Sequence, residues 1–499
     1  MVSMDSGAGA ALPSHLWSLR EDVLVEDDPD EDRIVVVTKW AEFGIDDVDE
    51  VVRTSLRRMS LGPISLENVI AGRMPTDLEL AGLNEQDSQP DPNRDDWVKL
   101  LHVLDLLSGS VVRSLGIGDG DTPLLSAVPI ARFASLKVID VEPDRPIRLS
   151  RFAAIRSVDG DLLLESPLAQ YHVVLLRHVA AEVVTMLSRT STISGVTAGL
   201  GVKESVVAAI VGYLAGTGIV LVGDRSAPHV TFDEDSDPVL LQWTHHDLLF
   251  HSRSRMGRYG GQSGAVFPLA GKLPSPDLVK RIRSGTRLAL YRPTIDDLVR
   301  TDPSLTDVLE HPKLCDDLTD RPLSAEQVGE LLYRTARIRS VASSSTGTDV
   351  RYDISDRPYL SIYGLYELEL YVSVHKCVGM PRGTYHYDPR QHELALVNDS
   401  PPDLDELLDR ARVAARTTLK PPLLITLTAR VARTSWMYGG IGYSLALTHV
   451  GALQQTLCLV ANAMGLAACA PAVDPGDATN NALRLEWPAE VGVGEFLVG

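Results

Sequence analysis

Arg357 to Val374 reads RPYLSIYGLYELELYVSV, and the fold of the C-terminal half turns on it. A Gly-containing turn enters an apolar run that suits either a helix or a strand. Gly383 to Val397, GTYHYDPRQHELALV, predicts a strand pair with its turn at Asp388-Pro389. A helix over Pro402–Val413 leads to a buried strand, PLLITLTARV, at Pro422–Val431. A long apolar helix over Ala446–Met464 ends at Gly465 and gives way to LAACAPAV. Upstream, a helix over Ser324–Tyr333 runs into RTARIRS. Helices thus alternate with strands from Leu323 onward, and the fold class is α+β.

The N-terminal half carries a second pattern. Arg33–Trp40 (RIVVVTKW) predicts a strand, and Asp47–Leu61 and Asp95–Leu107 have apolar residues at helical spacing. The Pro-rich acidic stretch Asn84–Asn93 predicts a loop. The Gly-rich LGIGDGD at Leu115–Asp121 predicts a turn, since no glycine-rooted helix follows it. Between Gln170 and Gly223 the expected order is a helix to Ser188, a short helix near Gly195–Leu200, a third helix over Lys203–Leu214 and the strand IVLVG. That is a winged-helix layout. The third helix, KESVVAAIVGYLAG, has no Arg, Asn or Gln to read bases, so a peptide or protein suits it better than DNA. DEDSDP at Asp233–Pro238 predicts a linker. The expected organisation is an acidic disordered tail (1–32), a clamp-like α+β domain (33–160), a winged-helix-like domain (161–235), a connecting segment (236–322) and a C-terminal domain (323–499).

Charge narrows the partners. The 499 residues hold 67 acids against 47 Lys and Arg, a net charge of −20, which disfavours nucleic acid and anionic membrane. Eight of the twelve residues from Glu21 to Asp32 are acidic, as in a solvated tail. Four cysteines without CxxC spacing (Cys315, Cys377, Cys458, Cys469) predict neither a zinc site nor a disulfide framework. With no signal-peptide pattern at the start and no unbroken apolar stretch of about 18 residues, a soluble, cytoplasmic protein is expected. His245, His246 and His251 read as a capped helix rather than a metal site. The basic loop after them (Arg253, Arg255, Arg258) suits an acidic partner or a phosphate. Arg334, Arg337 and Arg339, with Thr335 between, make a compact candidate anion site.

The order of these blocks resembles the SagB-type dehydrogenases, the flavin-dependent azoline oxidases of the nitroreductase superfamily. HHDLLFHSRSRMGRYGG, LLYRTARIRS, RPYLSIYGLYELELYVSV, GTYHYDP, ARVARTSWMYGGIGYSLAL, VGALQQTLCLVANAMGLAACA and the closing VGEFLVG carry the resemblance, over roughly Leu241 to Gly499. The N-terminal half is similar in kind to the peptide-clamp modules fused to the cyanobactin members. The resemblance implies an antiparallel-rich sheet with flanking helices that binds FMN. It also implies oxidation of thiazoline or oxazoline rings in a ribosomal precursor peptide to thiazoles or oxazoles, with oxygen as final acceptor. The implied partners are that peptide, a cyclodehydratase and a second copy of the chain.

Residue by residue, the resemblance puts the FMN phosphate on Arg334, Thr335 and Arg337. Ser361, Tyr363 and Gly364 fall on the loop along the flavin, where the family more often has Ser-Gly-Gly. Gln454 and Gln455 fall on the helix at the dimer seam, and Ala468, Cys469 and Ala470 on the backbone over the ring. Cys469 is expected to be a small buried residue rather than a redox thiol. The family's Lys-Tyr acid/base pair reads Met437-Tyr438 here. A thioether exchanges no protons, so the base role falls to Tyr438 with a lowered pKa, to water, or to His386 or His449. An NAD(P)H-dependent small-molecule reductase and a non-catalytic peptide-binding scaffold are the competing readings.

Overall fold

The computed structural model describes residues 13–499 apart from 29–32, 47, 72–73, 75–92, 119–121, 225–228, 256–257, 259–263, 283–284, 346–350 and 472–475. Most of the loop expected at Asn84–Asn93 and the tip of the Gly-rich turn lie outside the described residues. The chain forms two compact units, Met1–Gln262 and Ser263–Gly499.

The first unit is built on a six-stranded antiparallel sheet. Its order is Pro13–Leu19, Val111–Ile117, Leu125–Pro129, Tyr171–Leu175, Asp161–Glu165 and Ala154–Val158. Helices His178–Met186, Ile193–Leu200 and Glu204–Gly216 follow, and the wing Val220–Val222 pairs with Ile147–Leu149. The helix expected to start at Gln170 is corrected, because Tyr171–Leu175 is an interior strand. YHVVL is short and apolar, and such a run fits either element until its neighbours are known.

The domain boundary at 160/161 is corrected too. It cuts a hairpin whose turn is Asp159-Gly160, both at positive φ. Leu115, Leu125 and Val173 of the sheet share one core with Val183, Val207 and Tyr213 of the helices. The acidic N-terminal segment is no tail over its described part. Pro13–Leu19 joins the sheet, and Leu24–Asp28 pairs with Arg33–Val37, where Asp27 meets Arg53 and Arg57. The expected linker at Asp233–Pro238 holds a helical turn, Asp233–Ser236, whose Glu234 is buried and accepts from Ser150 and the Arg151 amide.

The second unit carries a seven-stranded sheet. Its order is Arg287–Ala289, Glu393–Asn398, Gly383–Asp388, Leu368–Val374, Leu423–Arg430, Glu490–Val498 and Ala468–Cys469, every neighbouring pair antiparallel. The run left open between helix and strand is thus the central strand. Leu368, Leu370, Val372 and Val374 face one core with helices Ala325–Ala336 and Gly442–Ala463. Tyr371 faces the opposite core under helices Pro401–Ala414 and Gly476–Leu483. The unit begins well before Leu323, since Arg287–Ala289 is one of its strands and Gly264–Ala265 pairs with Tyr438–Gly439.

Helix Gly442–Ala463 is long and apolar enough by length and composition to cross a membrane, although Thr448, His449 and Gln454 interrupt its apolar run. It packs Ala446, Val450, Leu453, Leu457 and Ala461 into the first of these cores. Leu453 is fully buried. Leu453→Ala should cost about 2–5 kcal/mol, read as a fall in the denaturant midpoint of the full chain.

Candidate active site

The loop that enters the central strand is held in a conformation that side chains resist. Tyr363, Gly364 and Tyr366 have φ of 53°, 67° and 45°. Left-handed backbone costs an aromatic residue of order 1–3 kcal/mol, and such strain persists only where the surroundings fix it. At Gly364 a Cβ would also come within 2.7 Å of the Ser355 carbonyl oxygen.

Several bonds fix this loop. The Ile362 amide donates to His449 Nε2 at 3.0 Å, and the Tyr366 amide to Ser361 Oγ at 3.3 Å. Arg433 donates twice to the Leu365 carbonyl, at 2.6 and 3.1 Å, and once each to the carbonyls of Pro276 and Asp353. Burial of that guanidinium, 2 % exposed, pulls its pKa down to about 10, so it remains a cation at neutral pH. Sequence reasoning passed over Arg433, which four bonds to three backbone carbonyls identify only once the chain is folded.

His449 is locked by its two partners. Its Nε2 accepts from Ile362, so Nδ1 carries the proton and donates to Glu367 Oε1 at 2.8 Å. Both side chains are fully buried. His386 Nε2 lies 2.9 Å from Glu369 Oε2, also inside the sheet, and Arg430 approaches the other oxygen of that carboxylate at 2.8 Å. The expectation that either histidine serves as the base is therefore corrected. Each is committed to a buried glutamate, and His449 has no free lone pair.

Tyr438 and Tyr363 are brought together, with ring centroids 6.4 Å apart and an interplanar angle of 33°. Tyr363 is 71 % exposed, whereas Tyr438 is buried and its hydroxyl has no hydrogen-bond partner among the described residues. Burial, with smaller contributions from Tyr363 and Tyr352, pushes the Tyr438 phenol up to about 12. That corrects the expected lowered pKa, since this phenol is a donor at neutral pH and not a base. Met437 packs in an apolar cluster with Leu365, Trp436 and Tyr438. Phe267 covers this cluster by donating its amide to the Met437 carbonyl and by stacking edge-on against Trp436. Residues 264–273 thus belong to the site although they read as a connector.

The expected phosphate grip is only partly open. Arg334 pairs with Asp302 and Glu330, and the Thr335 hydroxyl donates to the Leu331 carbonyl inside the helix. Arg339 is engaged by Asp356. Arg337 differs from them. It donates to the Tyr333 carbonyl and lies 4.2 Å over the Tyr333 ring, and no carboxylate among the described residues pairs with it. Gln454 donates to the Glu495 carbonyl, while Gln455 is exposed. Ala468 and Cys469 are buried in the edge strand and Ala470 is exposed. Cys469 is bonded to Cys315 in a disulfide, where the sequence predicts no disulfide framework. A separation of 154 residues left no spacing signal for it. In the first unit, Arg253 of the expected open basic loop is bonded to Glu165 and the Ser166 carbonyl.

His449→Ala removes the acceptor of the Ile362 amide. Hydrogen exchange across 361–366 should then rise by at least about tenfold, and unchanged protection would show that His449 does not hold the loop.

Residues 147–260 match the family model of the cyanobactin oxidase ThcOx, and residues 317–499 match that of the nitroreductase family, which is typically flavin-binding. MJ1384 of Methanocaldococcus jannaschii, named as a nitroreductase, is 24% identical over 182 residues, 36% of this chain and 82% of that protein. A nitroreductase-type structure from Anabaena variabilis is 18% identical with a TM-score of 0.35. The match covers 50% of this chain and 45% of that one, so this chain spans less than half of its length. The Escherichia coli microcin synthetase McbBCD complex with truncated pro-MccB17 bound is 18% identical with a TM-score of 0.31, over 50% of this chain and 90% of that one. The chain thus combines a cyanobactin-oxidase domain of the ThcOx type with a C-terminal nitroreductase-family domain, the make-up of an oxidoreductase.

Proposed function

We propose that this protein is an FMN-dependent oxidase that converts thiazoline or oxazoline rings of a ribosomal precursor peptide to thiazoles or oxazoles. The observation that carries the reading is the joining, in one chain, of a cyanobactin-oxidase domain to a nitroreductase-family domain. The residues of the site fit a flat conjugated cofactor with a phosphate tail. Arg337 has a guanidinium face without a carboxylate, and Tyr438 has a buried hydroxyl without a partner. In this reading Arg337 holds the phosphate, and the loop of Ser361, Tyr363 and Gly364 lies along the ring. Gln454, Gln455 and the Ala468–Ala470 backbone complete the surroundings, while Arg334 and Thr335 shape the helix end rather than touch the phosphate.

Bound FMN supplies the two-electron acceptor that takes a hydride from the azoline. The chain's own residues do the rest. Tyr363 and Tyr438 flank the peptide ring, and the Tyr438 hydroxyl donates to the ring nitrogen. That bond draws electron density from the C=N group and acidifies the neighbouring C–H, already activated by the peptide carbonyl. The proton leaves to water, since His386 and His449 are committed elsewhere. Overall, one azoline and one dioxygen give one azole and one hydrogen peroxide. The precursor peptide is the substrate, and a cyclodehydratase that forms its azolines is the proposed partner. A second copy of the chain fits the outer face of helix Gly442–Ala463, where Tyr443 and Leu447 are exposed and a side chain at Gly451 would meet open space.

The purified protein should be yellow, with a flavin band that no side chain produces; a colourless protein that takes up no added FMN would refute the reading. Tyr438→Phe should lower azole formation at saturating peptide by at least about tenfold. The Tyr438 phenol stays protonated below its raised pKa of about 12, and its donation is lost only as the pH rises through that value. The rate should therefore show no Tyr438-dependent basic limb between about pH 7 and 10. A limb present in the wild type and absent from Tyr438→Phe would contradict the donor role. Leu447→Glu should convert a dimer to a monomer in sedimentation, and a wild type that is already monomeric would remove the second copy from the account.

A further inference from the structure

Arg113 lies within strand Val111–Ile117 of the first unit, opposite Trp17 in the antiparallel register. Two cores meet around it. Trp17, Leu104 and Val111 belong to one, and Leu115, Tyr171 and Tyr213 to the other. Its guanidinium carbon stands 3.5 Å from the centre of the Trp17 ring. Its Nε is buried and has no acceptor among the described residues. The groups that favour its charge are the tyrosines Tyr213 and Tyr171, and no carboxylate among the described residues contributes.

Three other arginines of this protein show how such a charge is compensated. Arg253 has Glu165, Arg334 has Asp302 and Glu330, and Arg433 has four bonds to carbonyls. Arg113 has neither an acid nor a set of carbonyls. A ring face and one hydrogen-bonding interaction with the Tyr213 hydroxyl offset part of the lost hydration, but they leave Nε and the charge without an anionic partner among the described residues.

Arg113 lines a pocket of about 180 Å³ with Trp17, Leu104, Leu136, Ser135, Tyr171 and Asp105. That volume is too small for a nucleotide and large enough for a short side chain. Leu104 and Leu136 suit methylene groups, and the arginine fork matches the two oxygens of a carboxylate. The exposed Asp105 in the same lining does not pair with Arg113, and it disfavours a second negative charge on the occupant. A dianionic phosphate is thereby a poorer fit than a carboxylate.

We propose that the Arg113 pocket binds a single carboxylate on a short apolar stem. This is the chemistry of a glutamate or aspartate side chain in a peptide, or of a small free carboxylic acid. The carboxylate completes the ion pair that the fold leaves open, with the stem against Leu104 and Leu136. The site lies wholly within the first unit and does not depend on the flavin reading.

The test is calorimetric titration of the full chain with N-acetylglutamate amide, N-acetylglutamine amide and butyrate. The glutamate amide should bind at least about tenfold more tightly than its neutral isostere. Its strength relative to butyrate distinguishes a peptide side chain from a free acid. Arg113→Met should abolish the preference for the acid without lowering the melting temperature, because it removes a largely withdrawn charge that no carboxylate among the described residues pairs with. Arg113→Lys, which keeps the charge but not the fork, should weaken acid binding at least about fivefold and guards against a Met variant that fails to fold. Equal binding of the two amides, or acid binding unchanged in either variant, would overturn the proposal. So would a wild type that binds no carboxylate and an Arg113→Met variant that melts earlier, the behaviour of a purely structural arginine.

Discussion

A strand buried on both faces governs the second unit. Leu368–Val374 sits in the middle of seven strands with helices over each side, so its own side chains are withdrawn from bulk water. Glu369, on the strand, must therefore find a cation or a donor inside, and it takes His386 and Arg430. Glu367, one residue before the strand, takes His449. This second pairing has a consequence at the surface. Once Nδ1 of His449 faces Glu367, Nε2 can only accept, and the Ile362 amide of the strained loop fills that place. A buried carboxylate thus fixes the exposed loop through one imidazole, while Arg433 holds the other end through the Leu365 carbonyl.

That arrangement separates positioning from proton transfer. The ionisable groups nearest the loop, Glu367, His449 and Arg433, are occupied in holding it. Tyr438, in the apolar cluster beside the loop, has a hydroxyl without a partner among the described residues, and its burial keeps it protonated. Met437 extends the same logic. A lysine there would carry its ammonium into the cluster of Leu365, Trp436 and Tyr438, whereas the thioether packs without cost. The chemistry proposed for this chain accordingly rests on donation by a tyrosine and on acidity built into the azoline, with water as the proton acceptor.

Much of the fold was legible in the sequence. The strand pair at Gly383–Asp388 and Glu393–Asn398, the strand Leu423–Arg430, the long helix and the order of the winged-helix elements from Ile193 onward all follow from periodicity and turn residues. Reading failed where a short apolar run carried no period of its own, as at Tyr171–Leu175, and where acidic composition hid paired strands, as at Leu24–Asp28. Tyr363, Gly364 and Tyr438 were named from their place in a motif, and the structure brings Tyr363 and Tyr438 together. The motif could not show that Asp302 and Glu330 neutralise Arg334, that Cys315 bonds to Cys469, or that Phe267 reaches back over Met437. Apart from the Glu330–Arg334 pair, one helical turn apart, each of these joins residues distant in the chain, and only tertiary packing brings them together.

The most direct test of the account is turnover of a purified azoline-containing peptide under air with the flavin-loaded protein and no nicotinamide cofactor, followed by mass spectrometry. The account predicts loss of two hydrogens per ring, with one hydrogen peroxide released for each ring oxidised. A peptide that stays at its starting mass while the same protein consumes NADPH against a nitroaromatic compound would contradict it and identify a reductase instead.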